Sequence, residues 1–148
     1  MSATMSETKV VKTLTMGKVG PTSIRVPLTE RSSLTNIIFT TQGITLSLIF
    51  DPSQPEDSLS RWTTEGVAEG RPGDDLFEVP PHWHRFHSEV MDVREGRLKI
   101  TIDGVTRVAS AGEKVHIPAG SVHSLVSFPG ERIVVRESAD PPGDYKHL

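Results

Sequence analysis

The stretch of sequence that decides the fold lies in the middle of the chain, where residues 80–96 read PPHWHRFHSEVMDVREG. Side chains along a β-strand alternate between its two faces, so His82 and His84 should point to the same side. Residues 85–88 are long enough for the chain to reverse direction before Glu89 opens the next strand. We therefore expect a hairpin that brings three metal-ligating side chains to one pocket.

A fourth candidate ligand, His123, follows Glu89 by 34 residues. Three neutral imidazoles and one carboxylate suit one divalent first-row metal ion, namely Fe2+, Mn2+, Ni2+, Cu2+ or Zn2+, whereas calcium and magnesium prefer more oxygen ligands. Four protein ligands leave positions open on a five- or six-coordinate ion for water, dioxygen or a chelating substrate. A structural zinc site usually closes at four ligands. We therefore predict a catalytic rather than a structural metal ion. Its predicted ligands are His82, His84, Glu89 and His123.

The residues around these ligands resemble the two sequence motifs of the cupin family. The first motif, His-x-His-x4-Glu-x6-Gly, is met by His82, His84, Glu89 and Gly96. The second, Gly-x5-Pro-x-Gly-x2-His-x3-Asn, is met by Gly112, Pro118, Gly120 and His123. Two motif positions depart, since Leu76 replaces a glycine and Ser127 replaces the closing asparagine, but neither is a ligand position. The resemblance covers about residues 77–137 and implies an all-β, double-stranded β-helix or jelly-roll barrel.

Two residues near the ligand set are candidates for proton transfer. Glu89 would act as a general base if it is not a ligand. His116 lies on the strand parity opposite Val115 and Ile117, and it would serve only if that parity faces the barrel interior. His87, in the turn between the ligand strands, is interpreted as an exposed imidazole without a role.

Residues on the inward parity beyond the ligands predict a mostly apolar pocket wall; they are Met91, Val93, Leu125 and Ser127. Ser127 either hydrogen-bonds a substrate or is simply small enough to fit. Four aromatic residues either pack in the core, their commoner fate, or add aromatic surface to the pocket; they are Phe39, Phe50, Trp83 and Phe86.

Length, charge and cysteine content narrow the class of protein. A chain of 148 residues fits one domain. A net charge of −3 gives no electrostatic footprint for nucleic acid, so a small organic molecule is the expected partner. The absence of cysteine excludes disulfides and thiolate ligands. Residues 1–12 lack the apolar segment of a secretory signal, and no stretch is long enough to cross a membrane. We expect a cytoplasmic protein.

The chain divides into an N-terminal arm with a peripheral strand over residues 1–33, a cupin barrel over 34–138 and a tail over 139–148. Strands are predicted at 34–40 and 44–50, then near 82–86, 89–94, 97–102, 105–109, 113–117, 121–127 and 131–137. Residues 51–76 are rich in proline and glycine, so continuous regular structure is not expected there. That segment is either a lid or partner-contact element or a plain surface loop.

Three functions compete. The first is a metal-dependent oxygenase, with Fe2+ favoured, that acts on a small oxygenated molecule of aromatic or polyketide-like character. The second keeps the metal as a Lewis acid for a redox-neutral isomerisation, dehydration, cyclisation or decarboxylation. The third is a non-catalytic module that binds a small ligand. The resemblance also implies a homodimer that pairs through N-terminal strands, for which residues 9–15 and 23–28 would serve.

Overall fold

The computed structural model of the protein describes residues 34–144, with side chains from residue 41 onward. The regular structure of this part of the chain consists of strands, namely β1 (Leu34–Thr41), β2 (Ile44–Phe50), β3 (Trp62–Ala68), β4 (Glu78–His82), β5 (Ser88–Glu95), β6 (Arg97–Ile102), β7 (Val105–Ser110), β8 (Lys114–Ile117), β9 (His123–Ser127) and β10 (Ile133–Asp140). The predicted strands of the N-terminal arm lie outside the described residues, as does Phe39's side chain.

The strands form two antiparallel sheets. One has six strands in the order β1-β2-β3-β10-β5-β8, and the other has four in the order β4-β9-β6-β7. Neighbours in each sheet are mostly not neighbours in the sequence, as expected when the chain repeatedly crosses between the two layers of a jelly roll. The all-β, double-sheet prediction is confirmed.

The core lies between the sheets and follows from strand alternation. In β6, Leu98 and Ile100 are fully buried while Arg97 and Lys99 are exposed, which matches the predicted faces. The same alternation buries one face of β5, β9 and the first half of β10, whereas β2 is buried on both faces between Leu46 and Ile49. The larger members of the resulting cluster are Ile44, Leu46, Leu48, Phe77, Met91, Leu98, Ile100, Ile117, Leu125 and Ile133.

Regular structure is not continuous over residues 51–76, as expected, but the predicted strands did not include β3, which lies there between β2 and β10. Gly66, the only glycine within β3, concealed the strand pattern. A Cβ placed on Gly66 would stand 2.6 Å from Cε2 of Phe77, so the missing side chain makes room for a buried ring. Residues 51–61 form turns, and Trp62 stacks on Phe50 with ring centroids 4.2 Å apart. Residues 62–68 are therefore part of the sheet interior.

Turn chemistry explains why β6 and β7 pair. Asp103 and Gly104 have φ values of 47° and 82°, and the two-residue hairpin turn with positive φ at both positions favours this pair of residues. The predicted turn is therefore confirmed.

β10 runs to Asp140, two residues beyond the predicted end of the barrel. The described part of the chain has no helix with the length and apolar character needed to cross a bilayer.

Candidate metal centre

Two of the predicted ligands are neighbours on adjacent strands of the four-stranded sheet. His82 is the last residue of β4 and is paired in register with His123, the first residue of β9. The pairing slips between Val79 and His82, where two prolines interrupt the ladder, and such a bulge re-aims the side chain that follows it. His123 also pairs with Ile102 on β6, so its backbone is fixed from both sides.

The predicted hairpin between the ligand strands is wrong. β4 and β5 belong to different sheets, and residues 83–87 cross from one sheet to the other instead of reversing the chain within one. His84 therefore lies in this crossing loop rather than on a strand. The loop is anchored because the backbone N–H of Gly120 donates to the carbonyl of His84 at 2.8 Å and that of Ala119 donates to Ser88 Oγ at 3.1 Å.

The four predicted ligands nevertheless converge. One donor atom from each of His82, His84, Glu89 and His123 lies within 4.8 Å of all the others. Nε2 of His84 is 2.9 Å from Oε1 of Glu89, and Nε2 of His123 is 3.0 Å from Oε2. Glu89 and His123 are 1% and 2% exposed, whereas His82 and His84 are half-buried. The cluster is therefore open to solvent only on the side of His82 and His84.

Backbone carbonyls fix the ring orientation of two histidines. Nδ1 of His82 lies 2.9 Å from the carbonyl of Pro80, and Nδ1 of His123 lies 3.0 Å from the carbonyl of Ser121. A carbonyl only accepts, so Nδ1 must carry the proton, and Nε2 of the neutral ring presents its lone pair to the cluster. Metal-ligating histidines are commonly oriented in this way.

The chemistry of this donor set fits a cation. With Nδ1 of His123 protonated, its neutral Nε2 and the Glu89 carboxylate are two acceptors at hydrogen-bond distance, and such a contact needs a proton or a cation between them. Nε2 of His84 is buried and lies close to Glu89 without hydrogen-bond geometry toward it. Both observations are expected of ligands that aim at a common point rather than at each other.

The protonation of His82 agrees with this arrangement. Burial lowers its pKa, and the nearby His123 and His84 lower it further, while the hydrogen bond to Pro80 and the charge of Glu89 act in the opposite direction. The neutral imidazole, which is the form that binds metal, is therefore favoured at neutral pH.

His87 differs from its interpretation as an exposed, idle imidazole. It is buried, its ring stacks on that of His84 with centroids 4.5 Å apart and an interplanar angle of 24°, and its Nε2 is 3.9 Å from Oε1 of Glu89. A signal was present in the sequence, since His87 lies two residues before Glu89 and directly before β5, where continued alternation would place both side chains on the same side. In the motif, His87 occupies one of the four unspecified positions before Glu89, so the motif assigned it no role.

His116 does not meet the condition set for a role in proton transfer. Val115 and Ile117 are buried in the core, and His116 between them is exposed on the outer face of β8. It pairs with Val90 rather than with Glu89. Because the strand alternates, the outward parity keeps this imidazole away from the ligand cluster.

The inward positions behind the ligands are buried as predicted, among them Met91, Val93 and Leu125. Ser127 serves the scaffold, since its Oγ accepts from the backbone N–H of Phe77 at 2.9 Å. The expectation of core packing is wrong for Trp83 and Phe86, which are 55% and 78% exposed in the crossing loop. There they flank His84 in the sequence instead of filling the core.

Comparison with known proteins supports the same family. Residues 72–135 match the cupin domain family. The chain is 38% identical over 71 residues to a probable oxidoreductase, patJ, of Penicillium expansum, which covers 45% of this chain and 22% of the relative. It is 35% identical over 69 residues to quercetin 2,3-dioxygenase of Bacillus subtilis, which covers 39% of this chain and 20% of the relative. The chain thus spans about a fifth of the length of these curated relatives.

A solved structure extends the likeness beyond the motif region. An RmlC-like cupin from Shewanella frigidimarina superposes with a TM-score of 0.55 at 22% identity, over 77% of this chain and 89% of that one. At this level of identity the match speaks for the fold alone. Both sequence motifs lie within residues 72–135, so the motifs and the family match identify a cupin domain there, and the two-sheet topology agrees with it.

Proposed function

We propose that this protein is a metal-dependent oxidoreductase that uses dioxygen to oxidise a small oxygenated organic molecule of aromatic or polyketide-like character. The observation that carries the proposal is the convergence of three histidines and Glu89 on one point that is closed by the core and open on one side. The names of the relatives, an oxidoreductase and a dioxygenase, support a redox reaction for this donor set.

The residues that would hold the metal ion are His82, His84, Glu89 and His123. A divalent first-row ion bound there, for which we favour Fe2+, would polarise a substrate oxygen and mediate electron transfer from substrate to dioxygen. The substrate supplies the electrons, so no separate reductant is required when both oxygen atoms enter the product.

The chain itself shapes access to the centre. Met91 and Leu125 follow Glu89 and His123 on the same strand faces and are buried in the core, which gives the site an apolar floor. Glu89 is almost completely enclosed and can be approached only past the histidines. Reactants would therefore enter on the side of His82 and His84, where the imidazole edges are half-exposed.

The exposed rings in the crossing loop support an aromatic substrate. Trp83 and Phe86 expose large apolar surfaces in the crossing loop that carries His84, and exposed apolar surface can mark a ligand-binding groove. A planar molecule with neighbouring hydroxyl or carbonyl oxygens would contact such rings while its oxygens face the ligand cluster.

The test is oxygen uptake by protein loaded with Fe2+, with a panel of phenols, 1,3-diketones and flavonols that includes quercetin. We expect uptake with at least one compound, incorporation of 18O from labelled dioxygen, and loss of both on chelation and in His123→Ala. Conversion at full rate without oxygen would contradict the proposal and favour redox-neutral chemistry. Tight ligand binding without turnover, unchanged in His82→Ala, would instead indicate a binding module.

A further inference from the structure

His87 contacts two members of the ligand set without belonging to it. Its side chain is 9% exposed, although it lies in a loop whose neighbouring residues Arg85 and Phe86 are exposed. Burying a polar ring requires that its surroundings compensate for lost contact with water. The surroundings here include the ring of His84 and the carboxylate of Glu89.

The three histidine ligands are not held in the same way. His82 and His123 each place Nδ1 on the backbone carbonyl two residues earlier. For His84, the residue two positions earlier is the ligand His82, and within residues 41–144 no bond joins Nδ1 of His84 to a backbone carbonyl. His84 also lies in the crossing loop, so no strand ladder restrains its backbone.

The ring of His87 restrains His84 instead. The two rings are nearly parallel, at 24° with centroids 4.5 Å apart, and such a stack resists rotation of either ring out of the common plane. The plane of His84 sets the direction of the Nε2 lone pair, which is the property that a metal ligand must have fixed. Nε2 of His87 is 3.9 Å from Oε1 of Glu89, which is too far for a direct hydrogen bond between these two atoms.

We propose that His87 is a positioning residue of the metal centre, whose ring fixes the orientation of His84 in the place of the backbone hydrogen bond that orients His82 and His123. The inference rests on the proposed function, because it requires that the cluster binds a metal ion. It adds that His87, through its contacts with His84 and Glu89, controls the affinity for the metal ion and the geometry of the metal ligands.

The experiment compares His87→Ala, which removes the ring, with His87→Phe, which keeps a planar ring and removes both nitrogens. Binding of Co2+ is measured by competition with a chromophoric chelator, and the visible absorption of the Co2+ complex reports ligand geometry. We expect His87→Ala to weaken binding by about 10–100-fold and to shift the absorption bands, as for other residues that orient metal ligands. His87→Phe should stay within about threefold of the unaltered protein, because it preserves stacking. His116→Ala, which removes an exposed histidine on the outer face of β8, is the matched control.

Several results would overturn the proposal. Equal Co2+ affinity and equal spectra in His87→Ala and the unaltered protein would show that the stack is not needed, and so would a loss in His87→Phe as large as in His87→Ala. If His87→Ala does not fold when tested without metal, His87→Leu fills the volume without a planar ring and should show the same loss. Failure of the unaltered protein to bind any Co2+ would instead contradict the proposed function, so the two failures are distinguishable.

Discussion

Glu89→Gln should affect the metal-free and metal-loaded proteins in opposite directions. The substitution keeps the volume of a side chain that is 1% exposed and removes its charge. In the metal-free protein, Oε2 lies 3.0 Å from Nε2 of His123. An amide nitrogen in that position can donate to the neutral imidazole, and no buried carboxylate is left facing a lone pair. The metal-free variant should therefore unfold at the same temperature as the unaltered protein or slightly above it.

The metal-loaded proteins should differ strongly. At a free metal concentration of about 100 times Kd, binding stabilises the folded state by about 2.7 kcal/mol. For a chain of 148 residues this raises Tm by about 8–10 °C. The variant loses its only anionic ligand among the four, and a 100-fold loss of affinity would reduce the gain at the same concentration to about 0.4 kcal/mol. Its Tm should then rise by no more than about 2 °C.

The assay is thermal unfolding with Mn2+ or Co2+ and again with excess chelator, with Glu78→Gln as the control. Glu78 is an exposed carboxylate on β4 outside the cluster, and its variant should keep the full shift. A full shift in Glu89→Gln would refute ligation by Glu89 and leave it the role of general base. A metal-free Tm several degrees below that of the unaltered protein would show that Glu89 and His123 do not face each other as two hydrogen-bond acceptors.

Three further outcomes are expected. Gly66→Ala should cost about 1–3 kcal/mol in urea unfolding, since its Cβ would overlap the Phe77 ring, and Phe77→Leu in the same chain should recover part of that loss. Ser127→Ala should cost about 1–3 kcal/mol because the buried N–H of Phe77 loses its acceptor, while Co2+ affinity should not change in a chelator competition. Burial lowers the pKa of His82, so the unfolded chain binds a proton more readily than the folded one. The metal-free protein should therefore lose stability as pH falls through the ordinary histidine range. Between about pH 8 and 5.5, the Tm of His82→Asn should fall less than that of the unaltered protein.

The parts of the fold that local chemistry determines could be predicted from the sequence. Strand alternation placed Leu98 and Ile100 in the core, and the Asp103-Gly104 turn joined β6 to β7. β3 could not be recognised because Gly66 is there for the sake of Phe77, a contact between distant segments that leaves no local pattern. The N-terminal pairing implied for a dimer lies outside the described residues and stays a prediction, as does the cytoplasmic location.

The ligand set could be predicted for a different reason from the one first given. His82 and His84 were expected to converge because they share a strand face, but only His82 is on a strand. Their spacing works because residues 83–87 cross between the sheets and deliver His84 to the same point from another direction. The motif thus identified four residues whose donor atoms converge, while strand periodicity alone gave the wrong local structure and left His87 unexplained.

The centre is built from two parts with different rigidity. His82 and His123 are cross-strand partners with backbone-oriented rings, so their positions belong to the sheet and should change little with metal or substrate. His84 belongs to the crossing loop, where the anchoring comes from Gly120, Ala119 and the stacked ring of His87. A change in that loop can therefore alter the ligand field without disturbing the sheet. If a substrate contacts the exposed rings of Trp83 and Phe86 as proposed, that contact and the orientation of His84 depend on the same five residues, and substitutions there should alter metal affinity and substrate preference together.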